Sequence, residues 1–578
     1  MGTFAGRPTY KKSVKIRKNA EKECIFYTIC GITKDNFPEN VKRGMIMKKI
    51  GMKRVGYAVI SKRVLCALTI ILQFEWIVFI AYRATVANKV VDMLLSAIAF
   101  VMAFYVVNSD MKPYFKLTWV FIILFLPIVG CPAYFMFGRA EMTKRKRQRF
   151  HEISGVYRKV RMQEKADEKK PLCETIAKQD RQLYRQTSYI ANMAGYPVYE
   201  NQKTHYYESG EAMLPQFLAD LRTAKEYIFL EYFIIEPGVM FDAILEILEE
   251  KVQQGVKVRV IYDDIGCIKT VPPKYDRYLR SKGIECACFN RFRPFLSVVM
   301  NNRDHRKITV IDGRIAYTGG LNLADEYINE KKRFGYWKDA GIRIEGDAAY
   351  SFATMFLEMW GFINKTHGED ELMGLINRSD RECEAAESHP DTTQDAQGYI
   401  QPYADSPYIK EPIAENVYLN IINNAKDYVY IFTPYLIIGS ELQTALANAA
   451  KSGVDVRIVT PDIPDKKMTF LLTQSHYGSL LDAGVKIYQF TPGFIHSKCI
   501  LADDAYAVVG TINFDFRSLY MHFECGVLLY RTASVLQLKE DMEKTFAVSR
   551  QMPTDFCRKR KLPVRLMQAA LRLFEPVF

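Results

Sequence analysis

The chain has cysteines but no cysteine motif. Its 12 cysteines are scattered over 578 residues without a C-x-x-C pair, the closest two being Cys286 and Cys288. That pattern lacks zinc-ligand spacing and suggests no disulfide framework, so a reduced, cytoplasm-facing protein is the simplest account. Acidic charge is also in short supply. Lys and Arg number 79 against 65 Asp and Glu, a formal net charge of +14. Such an excess suits polyanionic partners, nucleic acid or an anionic membrane surface. The basic residues concentrate before residue 64, in KRKR at 144–147 and in RKRK at 558–561. Each run borders apolar sequence, which favours lipid over nucleic acid. No cleavable signal is apparent, because residues 1–63 are too long and too charged for its leading region.

Three apolar segments follow this basic extension, at 64–80, 90–107 and 117–137. Each approaches the roughly 20 residues needed to cross a bilayer core. The first holds Glu75 near its middle, which is costly in hydrocarbon. Basic flanks before residue 64 and after residue 138 both favour the cytoplasmic side. Two spans are therefore expected within 64–138, with the Glu75 segment failing to cross. The expected location is the plasma membrane, multi-pass, with a cytoplasmic catalytic domain. Residues 139–190 are charged and helical in composition and read as a connector.

Beyond residue 190 the chain repeats itself. EYIFLEYFII (226–235) parallels DYVYIFTPYLII (427–438), and GVKVRVIYDD (255–264) parallels GVDVRIVTPD (453–462). GIECACF (283–289) likewise parallels GVKIYQF (484–490). Helical patterns at 241–251 and 441–451 lie between the first two members of each set. The order strand, helix, strand, helix, strand, hairpin thus occurs twice. It predicts an α/β fold of two pseudo-twofold-related units, 191–366 and 399–557, built of mixed sheets flanked by helices. The stretch 367–398 is polar and acidic and reads as a linker. Residues 558–578 form an amphipathic tail with Leu566, Ala569, Ala570 and Leu573 on one helical face. An interfacial helix and a core-packing terminal helix both fit it.

The last member of each repeat carries the chemistry. HRKITVIDGRIAYTGGLN begins at His305, and HSKCILADDAYAVVGTIN begins at His496. In both, Lys follows the histidine by two residues (Lys307, Lys498), Asp by seven (Asp312, Asp503) and Asn by seventeen (Asn322, Asn513). A single H-x-K on an edge strand is usually just solvated; the same multi-position spacing twice is not accidental. Positions i and i+2 of a strand share a face, so each His–Lys pair points one way. A cation beside an imidazole is unfavourable unless both face an anion, and phosphate is the obvious one. Pseudo-symmetry can bring the two histidines, 191 residues apart, into one cleft. One imidazole can then attack phosphorus while the other protonates the leaving alcohol. Lys307, Lys498, Asn322 and Asn513 would bind the nonbridging phosphate oxygens. No carboxylate cluster fit for Mg²⁺ accompanies the motifs, so no metal and no cofactor is expected. Asp312 and Asp503 sit at hairpin turns, where holding backbone donors is the favoured role over a chemical one.

These sequences resemble the paired HKD motifs of the phospholipase D superfamily, which count His305, Lys307, Asp312, His496, Lys498 and Asp503 together as the catalytic set. The stretches 301–329, 337–346 and 493–518, with the apolar segment 116–139, are similar to bacterial cardiolipin synthases. The basic N-terminus and a third apolar segment depart from that family's usual two-span pattern. The resemblance implies ping-pong transfer of a phosphatidyl group from one phosphatidylglycerol to another, giving cardiolipin and glycerol. It implies His305 as nucleophile and His496 as acid and later base, although near-symmetry leaves the order open. It also implies that Asp339 and Glu524 orient the partner histidine. An unpaired Glu524 within MHFECGVLLY would be expensive. No nucleic-acid partner is expected. The alternatives are another HKD phosphatidyltransferase or a phospholipase D hydrolase, then a nuclease, then a non-catalytic membrane scaffold.

Overall fold

The computed structural model describes residues 89–138, 144–163, 166–291, 302–366 and 397–577, together with Glu75 and Phe79. Two mixed α/β sheets form the body. The first has the strand order Lys203–Tyr207, Gly341–Glu345, Ile315–Gly319, Lys307–Ile311, Tyr227–Tyr232, Lys257–Asp263, Glu285–Phe289. The second repeats that order with Tyr399–Asp405, His522–Tyr530, Tyr506–Gly510, Cys499–Ala502, Tyr428–Phe432, Asp455–Pro461 and Lys486–Phe490, extended at its edges by Tyr199–Glu200 and Ser549–Gln551. In each sheet the three βα-type strands run parallel and the hairpin joins them antiparallel. Tyr227–Tyr232 and Tyr428–Phe432 are buried along their whole length, as strands covered on both faces must be.

The hairpin turns explain why Asp occupies the seventh position. Asp312 and Gly313 have φ of 50° and 68°, and Asp503 and Asp504 both have φ of 53°. Arg314 N–H closes onto Ile311 O, and Ala505 N–H onto Ala502 O. Left-handed conformation at both central residues is what a tight hairpin turn of matching twist requires, and Asp tolerates it better than most.

Helix Ala348–Asn364 lies between the sheets, which is why 14 of its 17 residues are buried. Phe356 stacks on Phe229 of the first sheet with ring centroids 4.5 Å apart, and Ser351 Oγ meets Tyr199 OH of the second at 2.9 Å. Two further pairings cross between the halves. Arg303–Asp304 runs parallel to His522–Phe523, and Gly493–Ile495 runs parallel to Tyr336–Lys338.

The N-terminal region differs from the expectation of continuous apolar spans. Segment 90–107 falls on one helix, Lys89–Val107. Segment 117–137 does not: helix Pro113–Phe125 stops at Leu126, and a separate helix Pro127–Ala133 follows. The break precedes Pro127, where the steric demand of the proline ring drives Leu126 to φ −134°, ψ 64°. Among the described residues no helix is long and apolar enough to cross a membrane. Apart from Glu75 and Phe79, segment 64–80 lies outside the described residues, as do 1–63 and most of the linker 367–398.

Helix Pro113–Phe125 packs on the body. Tyr114 OH meets Tyr520 OH at 2.6 Å, Lys112 Nζ reaches Glu415 at 3.0 Å, and Thr118 Oγ donates to Leu573 O at 2.8 Å. That last bond ties it to the C-terminal helix Leu562–Leu573. This terminal helix buries Gln568 and Leu571 and leaves Leu566, Ala569 and Ala570 exposed. One face docks while the other stays open.

Candidate active site

Each hairpin brings its histidine to the boundary between the halves, and the crossing strand pairs set what it meets there. His305 N–H donates to Phe523 O at 3.0 Å, and His496 N–H to Lys338 O at 2.7 Å. Those bonds lock each histidine in register with the carboxylate one residue further along the opposite strand. His305 Nδ1 accordingly lies 2.9 and 3.0 Å from the two oxygens of Glu524. His496 Nδ1 lies 2.6 Å from Asp339 Oδ2. The site is therefore exchanged: each half supplies the carboxylate for the other half's imidazole.

Both carboxylates are fully buried and held a second time. Asp339 accepts from Ala340 N–H at 2.9 Å and from Trp337 Nε1 at 3.4 Å. Glu524 Oε2 accepts from the Thr511 hydroxyl. The residue after the hairpin glycine differs between the halves for this reason. A Cβ at Gly320 would overlap Asp339 Oδ1, whereas Thr511 uses its side chain to bond Glu524.

With a carboxylate on Nδ1, the neutral ring carries its proton there and leaves a lone pair on Nε2. Burial, followed by the Lys307 and Lys498 charges, pushes His305 well below its ordinary range. Burial and then Lys498 lower His496 to about 4, although Asp339 opposes the shift. The lysines respond in the same sense: burial lowers Lys307 to about 8 and Lys498 to about 7, against the pull of nearby carboxylates. Burial by itself would raise Asp339, but His496 and Lys498 outweigh it and its carboxyl sits below the usual range. Two imidazoles and two lysines in mutual electrostatic contact exceed the charge of the two carboxylates beside them, an arrangement that suits an anionic group.

Each lysine ammonium donates to the backbone carbonyl of its own histidine, Lys307 to His305 O and Lys498 to His496 O. That leaves further N–H donors on each. Asn322 is committed in part, accepting from Ile234 N–H at 2.9 Å and donating to Tyr327 OH at 2.6 Å. Asn513 donates to Asp515 Oδ2 at 3.1 Å.

Asp312 and Asp503 stand apart from this group, at the far end of each hairpin. Asp312 accepts from the N–H groups of Lys225, Glu226 and Tyr227 at 2.8 to 2.9 Å. Asp503 accepts from Lys426, Asp427 and Tyr428 at 2.7 to 2.9 Å. Their oxygens are spent on backbone donors that begin a central strand, so the structure does not bring them to the histidines. Replacing Asp312 by alanine should lower unfolding stability by about 3 kcal/mol, since bonds to a charged acceptor contribute roughly 1.5 to 3 kcal/mol each. Denaturant unfolding alongside turnover of the remaining folded protein tests this. A loss of turnover with unchanged stability would contradict it.

Two aromatic neighbours were not singled out from sequence. Trp337 packs on His496 with centroids 5.2 Å apart, and His522 lies 5.5 Å from His305. Trp337 precedes Asp339 by two residues and His522 precedes Glu524 by two. Comparing the repeats beyond the HKD motifs would have exposed the pair. His522 also alters the metal expectation: His305, His522 and Glu524 offer ligand atoms all within 4.8 Å of one another. Sequence spacing could not show this because His305 and Glu524 are 219 residues apart.

Paired sheets with two exchanged histidine–carboxylate pairs define a double-histidine site of the phospholipase D class. A family model described as cardiolipin synthase, PLD-like domain, matches residues 217–360 and 418–546, and one described as phospholipase D nuclease N-terminal matches 97–139. The chain is 33% identical over 490 residues to a Geobacillus kaustophilus cardiolipin synthase, covering 84% of this chain and 93% of that one. It is 41% identical to an uncharacterised Streptococcus mutans protein, covering 82% and 98%. A solved structure of phosphatidylserine synthase from Haemophilus influenzae covers 68% of this chain and all of that one, at TM-score 0.48 and 14% identity. The chain belongs to the cardiolipin synthase family of the phospholipase D superfamily and is an enzyme of the phosphatidyltransferase type.

Proposed function

We propose that the chain is a membrane-bound cardiolipin synthase that transfers a phosphatidyl group between two phosphatidylglycerol molecules. The observation that carries this reading is the pair of buried imidazoles, each with Nδ1 on a carboxylate from the other repeat. His305 Nε2 attacks phosphorus, the bond to the glycerol oxygen breaks, and His496 gives that oxygen its proton. His496 is neutral in the free site; the anionic phosphodiester, arriving beside Asp339, favours its protonated form. In the second step His496 takes the proton of the acceptor hydroxyl, that oxygen attacks phosphorus, and the bond to His305 breaks. Lys307, Lys498 and the amides of Asn322 and Asn513 bind the nonbridging oxygens as charge builds. Asp339 and Glu524 hold the rings in the productive tautomer.

In this reading the repeats 191–366 and 399–557 each supply half of the site, while 64–138 and the tail 558–578 hold it at the bilayer. Exposed apolar surface supports that placement. Phe100, Val101 and Phe104 of helix Lys89–Val107 are 69%, 66% and 67% exposed, large apolar side chains of the kind that mark a membrane or partner surface. The open face of the terminal helix adds Leu566, 63% exposed, near the basic run 558–561. A basic, apolar surface suits anionic headgroups. Proximity to the bilayer matters chemically, because water competes with the lipid hydroxyl as acceptor and must be kept from the intermediate.

Expression in cells lacking cardiolipin, with labelled phosphatidylglycerol supplied to the purified enzyme, tests the function. Cardiolipin and glycerol in equal amounts are expected; phosphatidic acid as the only lipid product would show a hydrolase instead.

The depressed lysines set a pH dependence. A lysine is charged below its pKa, so the charge on Lys498 fades as pH rises through about 7, and that on Lys307 through about 8. kcat/KM should therefore fall on the alkaline side across pH 7 to 9. Lys498→Arg, which stays charged, should carry that limb upward in pH; an unmoved limb would remove Lys498 from phosphate binding.

A further inference from the structure

The geometry points to an inhibitory transition-metal site built from His305 Nδ1, His522 Nδ1 and Glu524 Oε1, one that takes a divalent ion of the zinc type. Glu524 Oε1 is 2.9 Å from His305 Nδ1 and 3.6 Å from His522 Nδ1. An ion about 2.0 to 2.1 Å from each of three tetrahedral ligands holds neighbouring ligand atoms roughly 3.3 Å apart. The two separations from Glu524 bracket that value and all three ligand atoms lie within 4.8 Å of one another, so drawing the two rings together completes the site. Two imidazoles and one carboxylate are a borderline-soft set that favours zinc-like ions over Mg²⁺ or Ca²⁺.

His522 is the observation that singles out this half. Its side chain is only 10% exposed, yet neither ring nitrogen has a hydrogen-bond partner, and 3.6 Å to Glu524 is too long for one. The ring's nearest acidic neighbour is Glu524 at 3.6 Å, so it can turn onto an ion beside that carboxylate without breaking a hydrogen bond of its own. The pseudo-equivalent position in the other half is Trp337, whose indole N–H already bonds Asp339. Tryptophan cannot ligate a metal, so the His496 half has no counterpart site. Glu524 Oε2 also accepts from Thr511, while Oε1 is the oxygen that faces both rings.

Occupation changes the reacting group without moving the backbone. In the free site the His305 proton is on Nδ1, facing Glu524, and the lone pair is on Nε2. A metal takes the Nδ1 lone pair, so the single proton of the neutral ring must reside on Nε2. The bond broken is Nδ1–H and the bond formed is Nε2–H, with no net proton released. The nitrogen that would attack phosphorus has then lost its lone pair. The blocking effect rests on the transferase reading of His305; the metal site itself does not.

The test uses the full-length protein in detergent micelles, freed of metal by chelator and titrated with Zn²⁺ and, for its absorption bands, Co²⁺. One Co²⁺ per chain in a low-symmetry N/O environment is expected, displaced by Zn²⁺, with transfer activity lost in parallel. His522→Asn and His522→Trp should weaken that binding at least about tenfold, since even an outer partner of a metal is usually worth 10- to 100-fold. Both variants should keep basal transfer and lose zinc sensitivity by the same factor. Absence of the Co²⁺ bands in the unaltered protein overturns the site whether or not any variant folds. Equal zinc affinity in both variants also overturns it. Saturation with zinc at undiminished transfer overturns the blocking effect. A protein that binds Co²⁺ through His522 but makes no cardiolipin retains the metal site and refutes the synthase reading.

Discussion

Replacing either His305 or His496 by alanine is expected to lower phosphatidyl transfer by at least about 10⁴-fold, the scale on which loss of a nucleophile or its proton-transfer partner acts. Both must be essential because the two rings perform different halves of one exchange. The variants should differ in what they accumulate. With labelled phosphatidylglycerol and a rapid quench, the variant that keeps the nucleophile should form some labelled protein, slowly, and fail to pass the label on. The other should form none. His305 as nucleophile requires the label in His496→Ala. Label in His305→Ala would exchange the two roles, and substantial transfer by either variant would remove the two-histidine mechanism. Both side chains sit at the boundary of the halves and are about one-tenth exposed. Each ring also covers a fully buried carboxylate, so truncation should lower the melting temperature as well, and transfer is therefore compared per folded molecule.

The second large effect is expected from the carboxylates. Glu524→Gln and Asp339→Asn preserve shape but replace an acceptor with an amide that can donate to Nδ1. The ring then keeps its proton on Nε2, the nitrogen that should attack or act as base. A comparable change to an amide beside a catalytic histidine costs roughly 10⁴-fold in a serine protease, and a loss of about 10³- to 10⁴-fold is expected here. Thermal denaturation should separate the two residues. Glu524 keeps an oxygen for the Thr511 hydroxyl as Gln, so its stability loss should be small. Asp339 also accepts from Ala340 N–H and Trp337 Nε1, and Asn offers one oxygen for those donors. Activity within tenfold of native in both variants would show that the carboxylates serve packing alone.

Much of the architecture is legible in the sequence because it is written locally. ITVI and RIAYT around Asp312-Gly313 define a hairpin from strand-forming residues and a left-handed turn, and the structure pairs Ile308 with Thr318 and Ile311 with Ile315 across it. The second repeat does the same around Asp503. A period of two also shows that His305 and Lys307 share a face, with no knowledge of what lies opposite. The turn aspartates were legible too, since left-handed backbone and three converging N–H groups are a short-range matter.

The N-terminal segments show where pattern fails. Hydropathy sums over 117–137 and registers no interruption, whereas Pro127 forces Leu126 out of helical geometry and divides the run. The apolar face of the terminal helix was likewise visible, but its period could not say whether it docks or stays open. The answer turned on Thr118 and Gln568, which anchor the neighbouring face through backbone carbonyls.

Strand period, turn chemistry and repeat spacing, all local, suffice to show two like α/β units that each carry a His, a Lys and an Asn at the same positions of a hairpin. Only the tertiary structure decided that the site is exchanged between the units. Two short parallel pairings, 303–304 with 522–523 and 493–495 with 336–338, place each carboxylate on the other unit's histidine. The same crossing sets His522 against His305 and Trp337 against His496, so a site symmetric in its motifs becomes unlike in its two halves. Hydrogen bonds between strands more than 150 residues apart have no local signature. They exist only once both sheets have formed and met.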